Sequence, residues 1–245
     1  NNALHIWPRK SFMIIALPNL DGTFTCTLFA PNKGSNSFDS INTTQDVDSF
    51  FNKFFKDLKS IIPNLSEQYF SNTTSPLGFV RCNSWKENNT FLIGDACHAT
   101  VPFYGQGMNS GFEDCFLLNK WLDDKKDLCH SDINSFLQQR IIDTTAMQDL
   151  SMDNYIEMRD KTANSEFLLQ KRIEEWFSNK HPQKWIPLYS MVTFSDIRYS
   201  EALKRGKIQN KIMSEIMRTN NLNNVFSVGE LERKNIEQKI LDYIK

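Results

Sequence analysis

From Phe112 to His181 the chain runs for seventy residues without a glycine or a proline, and just ahead of that run three glycines fall within seven positions, at 105, 107 and 111. Glycine and proline are the residues that interrupt helices. The chain can therefore turn freely up to about Gly107 and is then free to form a long helix. Upstream, Phe91-Leu92-Ile93 is an apolar run that reads as the end of a buried strand. Gly94-Asp95 then sets a carboxylate at the strand's C-terminal edge, and Pro102 keeps a helix from beginning early. The layout is strand, acid, proline turn, glycine-rich loop, helix N-terminus. Open sheets hold ligands at the carboxyl ends of their strands. The start of a helix presents unpaired N–H groups and the positive end of a dipole to an anionic or electron-rich ligand. One glycine here would be explained by the steric needs of a tight connection; the whole string is not.

Composition bounds the rest. The chain has 245 residues, 40% of them hydrophobic, and a net charge of −1, enough for a sizeable core in one or two domains. That balance gives no case for nucleic acid as a partner. The five cysteines, at 26, 82, 97, 115 and 129, form no C-x-x-C pair and read as reduced thiols. Four scattered histidines supply no metal-ligand set. No apolar run approaches the length of a membrane span.

In chain order, residues 3–9, Ser11–Leu17 and Thr23–Phe29 read as strands, with Asn19-Leu-Asp-Gly22 as a hairpin turn. Residues 46–60 carry Phe50, Phe51, Phe54, Phe55 and Leu58 at helical spacing. Leu77–Trp85 and Thr90–Ile93 read as strands around a Lys86-Glu-Asn-Asn turn. Beyond the glycines a helix is predicted up to a break at 123–132, then one over 133–148 and another over 151–177. A further helix over 194–217, with a kink near Gly206, and an amphipathic helix over 230–245 complete the pattern.

The central string resembles the second FAD-binding motif of the aromatic-ring flavoprotein monooxygenases: a GD pair, an alanine–histidine region, a proline, and GQGxNxGxxD. Gly94, Asp95, Ala96, His98, Pro102, Gly105, Gln106, Gly107, Asn109, Gly111 and Asp114 meet it. Outside it, LHIWPR, FMIIALPN, FTCTLF, PFYGQGMN, GFEDC, NYIEMR and IPLYSMVTFS occur in the order in which they occur in the kynurenine 3-monooxygenases, which residues 1–205 resemble. That resemblance implies hydroxylation of L-kynurenine to 3-hydroxykynurenine with FAD, NADPH and O₂, in the kynurenine pathway of pyridine nucleotide biosynthesis. It implies an α/β fold: a Rossmann-like FAD domain, an antiparallel sheet over the active site, and a C-terminal helical region, so that this stretch alone is α+β. Four segments follow: 1–90, a substrate-side sheet with one helix; 91–125, the FAD motif and its helix; 126–219, helical; 220–245, linker and tail helix. The family's G-x-G-x-x-G motif is not found in these residues. The resemblance therefore implies a C-terminal portion, partnered by the N-terminal half of the same enzyme and inactive alone.

Residue by residue, the resemblance assigns cofactor contacts to Asp95, Pro102, Gly105, Gln106, Gly107, Met108 and Asn109, and a catalytic place beside the flavin to Phe103 and Tyr104. It assigns the kynurenine ring to Leu4, Ile15, Leu17 and Phe29, which read by themselves as ordinary core. It assigns the amino-acid end to Asn154, Glu157, Met158 and Tyr189. The first three of these stand at i, i+3 and i+4, a spacing that by itself describes a solvated helix face. His98 is expected to be structural. The resemblance also implies the cytosolic face of the mitochondrial outer membrane, with membrane association left open. Two other readings stand beside it: a different FAD-dependent hydroxylase or reductase sharing the GD string, and a non-catalytic helical interaction fragment using the 230–245 helix.

Overall fold

The computed structural model describes residues 3–123, 130–219, 222 and 230–244. The chain folds as two compact units, Asn1–Leu77 with Tyr155–Asn164, and Gly78–Asn154 with Ser165–Lys245. Helix and antiparallel sheet are mixed, as the α/β expectation requires.

In the first unit β1 (His5–Pro8), β2 (Met13–Pro18) and β3 (Phe24–Phe29) form an antiparallel sheet with β2 in the centre. The hairpin turn falls where predicted, with Gly22 at φ +84°. Register decides the faces. Ile14 opposes Trp7 and Leu28, and this face packs on a core of Phe12, Val47, Phe50, Phe51, Phe55 and Leu58. Burying each such aromatic side chain contributes about 1.5–3 kcal/mol. Ile15, Leu17 and, opposite Met13, Phe29 occupy the other face.

Helix α1 (Thr44–Phe54) opens with a capping box in which Asp46 N–H donates to Thr43 Oγ1 (3.2 Å) and Thr43 N–H to Asp46 Oδ2 (2.9 Å). The predicted single helix over 46–60 is broken at Phe55, whose backbone leaves helical space (φ −138°) as its ring becomes fully buried; α2 (Lys56–Lys59) follows. A short α3 (Leu65–Ser71), not expected from sequence, ends this part.

The second unit departs from prediction at its start. Residues 78–85 form no strand ladder: Val80 N–H donates to Ala99 O (3.0 Å) and Cys82 N–H to Cys97 O (3.3 Å), and a helix supplies the remaining partner. Gln148, 1% exposed, donates through Nε2 to both Val80 O (2.6 Å) and Ala99 O (2.9 Å) and accepts from Arg81 Nε (2.9 Å). The buried strand expected to end at Ile93 is likewise short. β5 (Thr90–Phe91) pairs with the two-residue β4 (Lys86–Glu87), and Leu92 is 39% exposed.

Then come α4 (Asp95–His98), a 3₁₀ turn Pro102–Tyr104, and α5 (Gly107–Asp123), which begins where the glycines predict. Of the break predicted over 123–132, residues 124–129 lie outside the described residues, while Asp123 ends α5 and the next helix opens at His130. Helix α6 (His130–Ile156) runs through the stop predicted near residue 150, because Gln148 and Ser151 turn inward and are fully or nearly fully buried. The chain widens to a π turn at Glu157–Lys161, which lies against β1 in the first unit, before α7 (Ser165–Lys180).

The helix predicted over 194–217 corresponds to α9 (Tyr199–Thr219), and a short α8 (Leu188–Thr193), not expected from sequence, precedes it. α9 is continuous through Gly206, where the predicted kink is absent; a Cβ there would come within 2.8 Å of Leu188, so the glycine serves close packing of α8 on α9. α10 (Glu230–Tyr243) is not a loose tail: Ile236 and Ile240 are buried with Ile173, Phe177, Ile212 and Ile216. Glu237 of α10 accepts from Lys180 Nζ (2.5 Å) and His181 Nε2 (2.7 Å).

Candidate flavin groove

A groove of about 620 Å³ in the second unit lies between the Gly94–Asp95 turn and the start of α5. Its shape comes from residues that glycine alone permits. Gly94 sits at φ +62°, ψ −142°, and Gly105 at φ +65°. A Cβ on Gly107 would lie 3.3 Å from Thr100 Cγ2, closing the floor where Thr100 and Gly107 meet. Ser110 N–H donates to Gln106 O (2.8 Å), and the N–H groups of the preceding residues stand at the helix start, where no intrahelical partner exists. Asp95 is exposed on the opposite wall. A carboxylate facing a helix N-terminus across a glycine-lined slot can take the hydroxyls and the polar ring edge of one elongated ligand.

Of the cofactor residues read from sequence, Asp95, Pro102, Gly105, Gly107 and Met108 line this groove. Gln106 and Asn109 do not; they line a second cavity of about 750 Å³, where Asn109 Nδ2 donates to Gln106 Oε1 (3.1 Å). Phe103 and Tyr104, each 8% exposed, turn into the protein. Tyr104 packs with Met147, Leu150 and Met191 and stacks on Tyr189 at 5.6 Å, and Asn154 Nδ2 donates to Phe103 O (2.7 Å). Thus Asn154, Phe103, Tyr104 and Tyr189 are neighbours in the second unit.

The first unit holds the other substrate residues. Ile15, Leu17 and Phe29 share the sheet face away from the phenylalanine core, and Leu4, just before β1, is in phase with it. Leu4 and Leu17 are about half exposed while Ile15 is 8% exposed. Their reading as ordinary core holds for Ile15 and not for Leu4 or Leu17. Glu157 and Met158 lie on the π turn against β1, so α-helical spacing from Asn154 no longer sets their direction.

Behind the groove is a charged cluster that sequence reading missed. Asp114, 1% exposed, accepts from Gly94 N–H (3.1 Å), His98 Nε2 (2.5 Å) and Arg140 Nε (2.8 Å). Burial opposes its ionisation, but the His98 hydrogen bond and the Arg140 charge outweigh burial and hold its carboxyl below the usual range. Arg140, also buried, is raised despite its burial by Glu113 and Asp114. Asp143 extends the cluster, accepting from Arg198 Nε (3.0 Å) and Ser200 Oγ (2.6 Å).

The four described cysteines are free. Burial, with the nearby Asp114 charge, pushes the Cys97 thiol up to about 12, whereas Cys115 is exposed on the groove. With iodoacetamide at pH 8, Cys115 and the exposed Cys26 are expected to alkylate and Cys97 to stay intact until unfolding. Added FAD should protect Cys115 and leave Cys26 reactive. Peptide mapping by mass spectrometry checks both, and early Cys97 modification would contradict its burial.

The slot, with its GD turn facing a glycine-started helix, lies within residues 53–124, which match the FAD binding domain family. Over nearly its full length the chain is also similar to kynurenine 3-monooxygenases. It is 50% identical to that of Flavobacterium johnsoniae over 237 residues, 96% of this chain and 53% of the relative. It is 37% identical to that of Dictyostelium discoideum over 254 residues (98% and 55%) and 44% identical to that of Sus scrofa over 216 residues (87% and 45%). The chain spans about half the length of these relatives. What the chain is similar to is thus a portion of the kynurenine 3-monooxygenases. Among the described residues no helix is long and apolar enough to cross a membrane, and no group of three or more acidic, histidine or cysteine side chains could hold a metal.

Proposed function

We propose that the protein containing this chain hydroxylates L-kynurenine to 3-hydroxykynurenine with NADPH and O₂, as a step of the kynurenine pathway toward pyridine nucleotides. The groove between Asp95 and the start of α5 carries this reading. FAD, when bound, supplies the two-electron and oxygen chemistry that hydroxylation requires. Asp95 would accept hydrogen bonds from the ribityl hydroxyls. The N–H groups of Gly107, Met108 and Asn109 would meet the polar edge of the flavin ring, where the helix dipole favours negative charge by about 0.3–1 kcal/mol when exposed. Gly105 and Pro102 admit a flat ring closely. Gln106, Phe103 and Tyr104 support the loop from its buried side.

For the substrate, Leu4, Ile15, Leu17 and Phe29 offer an apolar sheet face to an aromatic ring, and Asn154, Glu157, Met158 and Tyr189 serve its amino-acid end. By the same likeness the protein would work at the cytosolic face of the mitochondrial outer membrane. The burial of Ile236 and Ile240 within the second unit speaks against the alternative in which α10 exists to capture a partner.

The test is product analysis on the intact protein supplied with FAD, NADPH, O₂ and L-kynurenine. Expected is 3-hydroxykynurenine in step with NADPH consumption; turnover of another aromatic acid without kynurenine overturns the reading. Asn154→Ala, Glu157→Gln and Tyr189→Phe should keep FAD, raise the kynurenine KM and lower kcat/KM by about 1–3 kcal/mol each. A loosely held ring should also divert more NADPH to hydrogen peroxide. Wild-type KM and coupling in all three would remove these residues from the substrate site.

A further inference from the structure

A buried histidine bonded to a buried aspartate invites a catalytic reading, and its surroundings exclude one. His98 is 2% exposed, its ring is stacked on Trp85 at 5.1 Å, and its Nδ1 is buried without a partner. A proton reaching Nε2 has no onward path through the ring, and His98 is not part of the groove lining. What the pair does touch is the backbone of the groove. We propose that His98, Asp114 and Arg140 are positioning residues, a unit that fixes the Gly94–Asp95 turn against α5 and so sets the flavin-binding wall.

Three observations converge on this. Asp114 Oδ2 takes both Gly94 N–H and His98 Nε2, while Oδ1 takes Arg140. The peptide it holds belongs to a glycine in a conformation open only to glycine, which has no side chain of its own to anchor it. Gly94 and Gly111 also approach so closely that a Cβ on Gly111 would lie 3.7 Å from Gly94 Cα, so α5 and the turn meet backbone to backbone. Asp95 is the next residue along. A shift of the Asp114 carboxylate therefore moves the Gly94 peptide and, with it, the groove wall that carries Asp95. Arg140 supplies the charge that keeps a carboxylate ionised at this depth.

The proposal rests on the FAD reading, and the experiment separates the two. In the intact flavoprotein, FAD dissociation constants are measured by fluorescence titration of the apo-protein, with thermal unfolding and the flavin absorption spectrum in parallel. His98→Phe keeps an aromatic ring against Trp85 and removes the donor. It should weaken FAD by about tenfold, roughly one charge-assisted hydrogen bond, and shift the flavin band. His98→Gln, whose amide nitrogen can reach the Nε2 position, should restore binding to within about threefold. A merely structural role would lower the unfolding temperature of His98→Phe without this rescue of FAD affinity. If His98→Phe does not fold, Asp114→Glu decides, since it keeps the charge but displaces the Gly94 contact by a methylene. Wild-type protein that takes up no FAD overturns the flavin reading and the proposal with it. Wild-type FAD binding, matched in affinity by His98→Phe or, where that fails to fold, by Asp114→Glu, overturns the proposal alone.

Discussion

Arg140→Ala is expected to destabilise the protein by about 3–5 kcal/mol, the range for removing one partner of a buried ion pair. The guanidinium has 3% side-chain exposure and lies 2.7 Å from Asp114, 3.0 Å from Glu113 and 3.9 Å from Asp143. Its loss strands Asp114 with the Gly94 N–H and His98 alone. Glu113, more than a third exposed, can turn to water and adds little to the loss. Equilibrium urea unfolding measures the change, and a loss below about 1 kcal/mol would show that the cluster relaxes or is wetter than its geometry implies.

Acid behaviour tests the same pair. The folded-state carboxyl of Asp114 is depressed, so its contribution is fully present above the unfolded value of about 3.9 and is lost as pH falls through the folded value. Without Arg140 the depression shrinks. The stability of Arg140→Ala should therefore fall less steeply than wild type below about pH 4. Replacing Asp114 as well by an apolar residue should not recover the loss, because Gly94 N–H and His98 Nε2 would then be buried without an acceptor.

The same cluster shows why part of the site was hidden in the sequence. Arg140, Asp143, Thr144, Gln148 and Ser151 recur at helical spacing along α6, and a polar stripe on a helix ordinarily marks the side facing water. Here all five are 3% exposed or less. Arg140, Asp143 and Gln148 meet partners that only tertiary structure reveals: Asp114 from α5, Arg198 just before α9 with Ser200 in it, and two carbonyls at residues 80 and 99. Thr144 and Ser151 donate within the helix itself, to Arg140 O and Met147 Sδ. The predicted helix stop near residue 150 failed for the same reason.

What could be read was whatever depends on backbone permission. Gly94, Gly105 and Gly107 mark the positions where the groove needs positive φ or close approach, and they located its loop and the start of α5. Strand-like runs around the Asn19–Gly22 turn placed β2 and β3, but β2 is apolar on both faces. Only the register tells Ile14, in the core, from Ile15 and Leu17 on the opposite face. The division of labour around the loop was likewise out of reach. Gln106 and Asn109 alternate with groove residues, and a shared motif does not say which side chains turn away.

Asp95→Ala should release flavin while leaving the fold in place, and this separates the groove's chemistry from its support. The Asp95 side chain is exposed and lies apart from the Asp114 cluster, so its removal should change stability by no more than about 0.5 kcal/mol. As the acceptor for ribityl hydroxyls, its carboxylate would contribute about 1.5–3 kcal/mol per charge-assisted bond, so FAD should weaken by about ten- to a hundredfold for each bond lost. Asp95→Asn, which keeps an acceptor and loses the charge, should fall between. The measurement is FAD content after gel filtration together with a titrated dissociation constant in the intact protein. The contrast with Arg140 is the sharper part of the test. Arg140→Ala should lose stability first and flavin as a consequence, whereas Asp95→Ala should lose flavin at an unchanged unfolding midpoint of the apo-protein. An Asp95→Ala protein that keeps one equivalent of FAD at wild-type affinity would remove Asp95 from the site and leave the start of α5 as the groove's principal hold on the ligand.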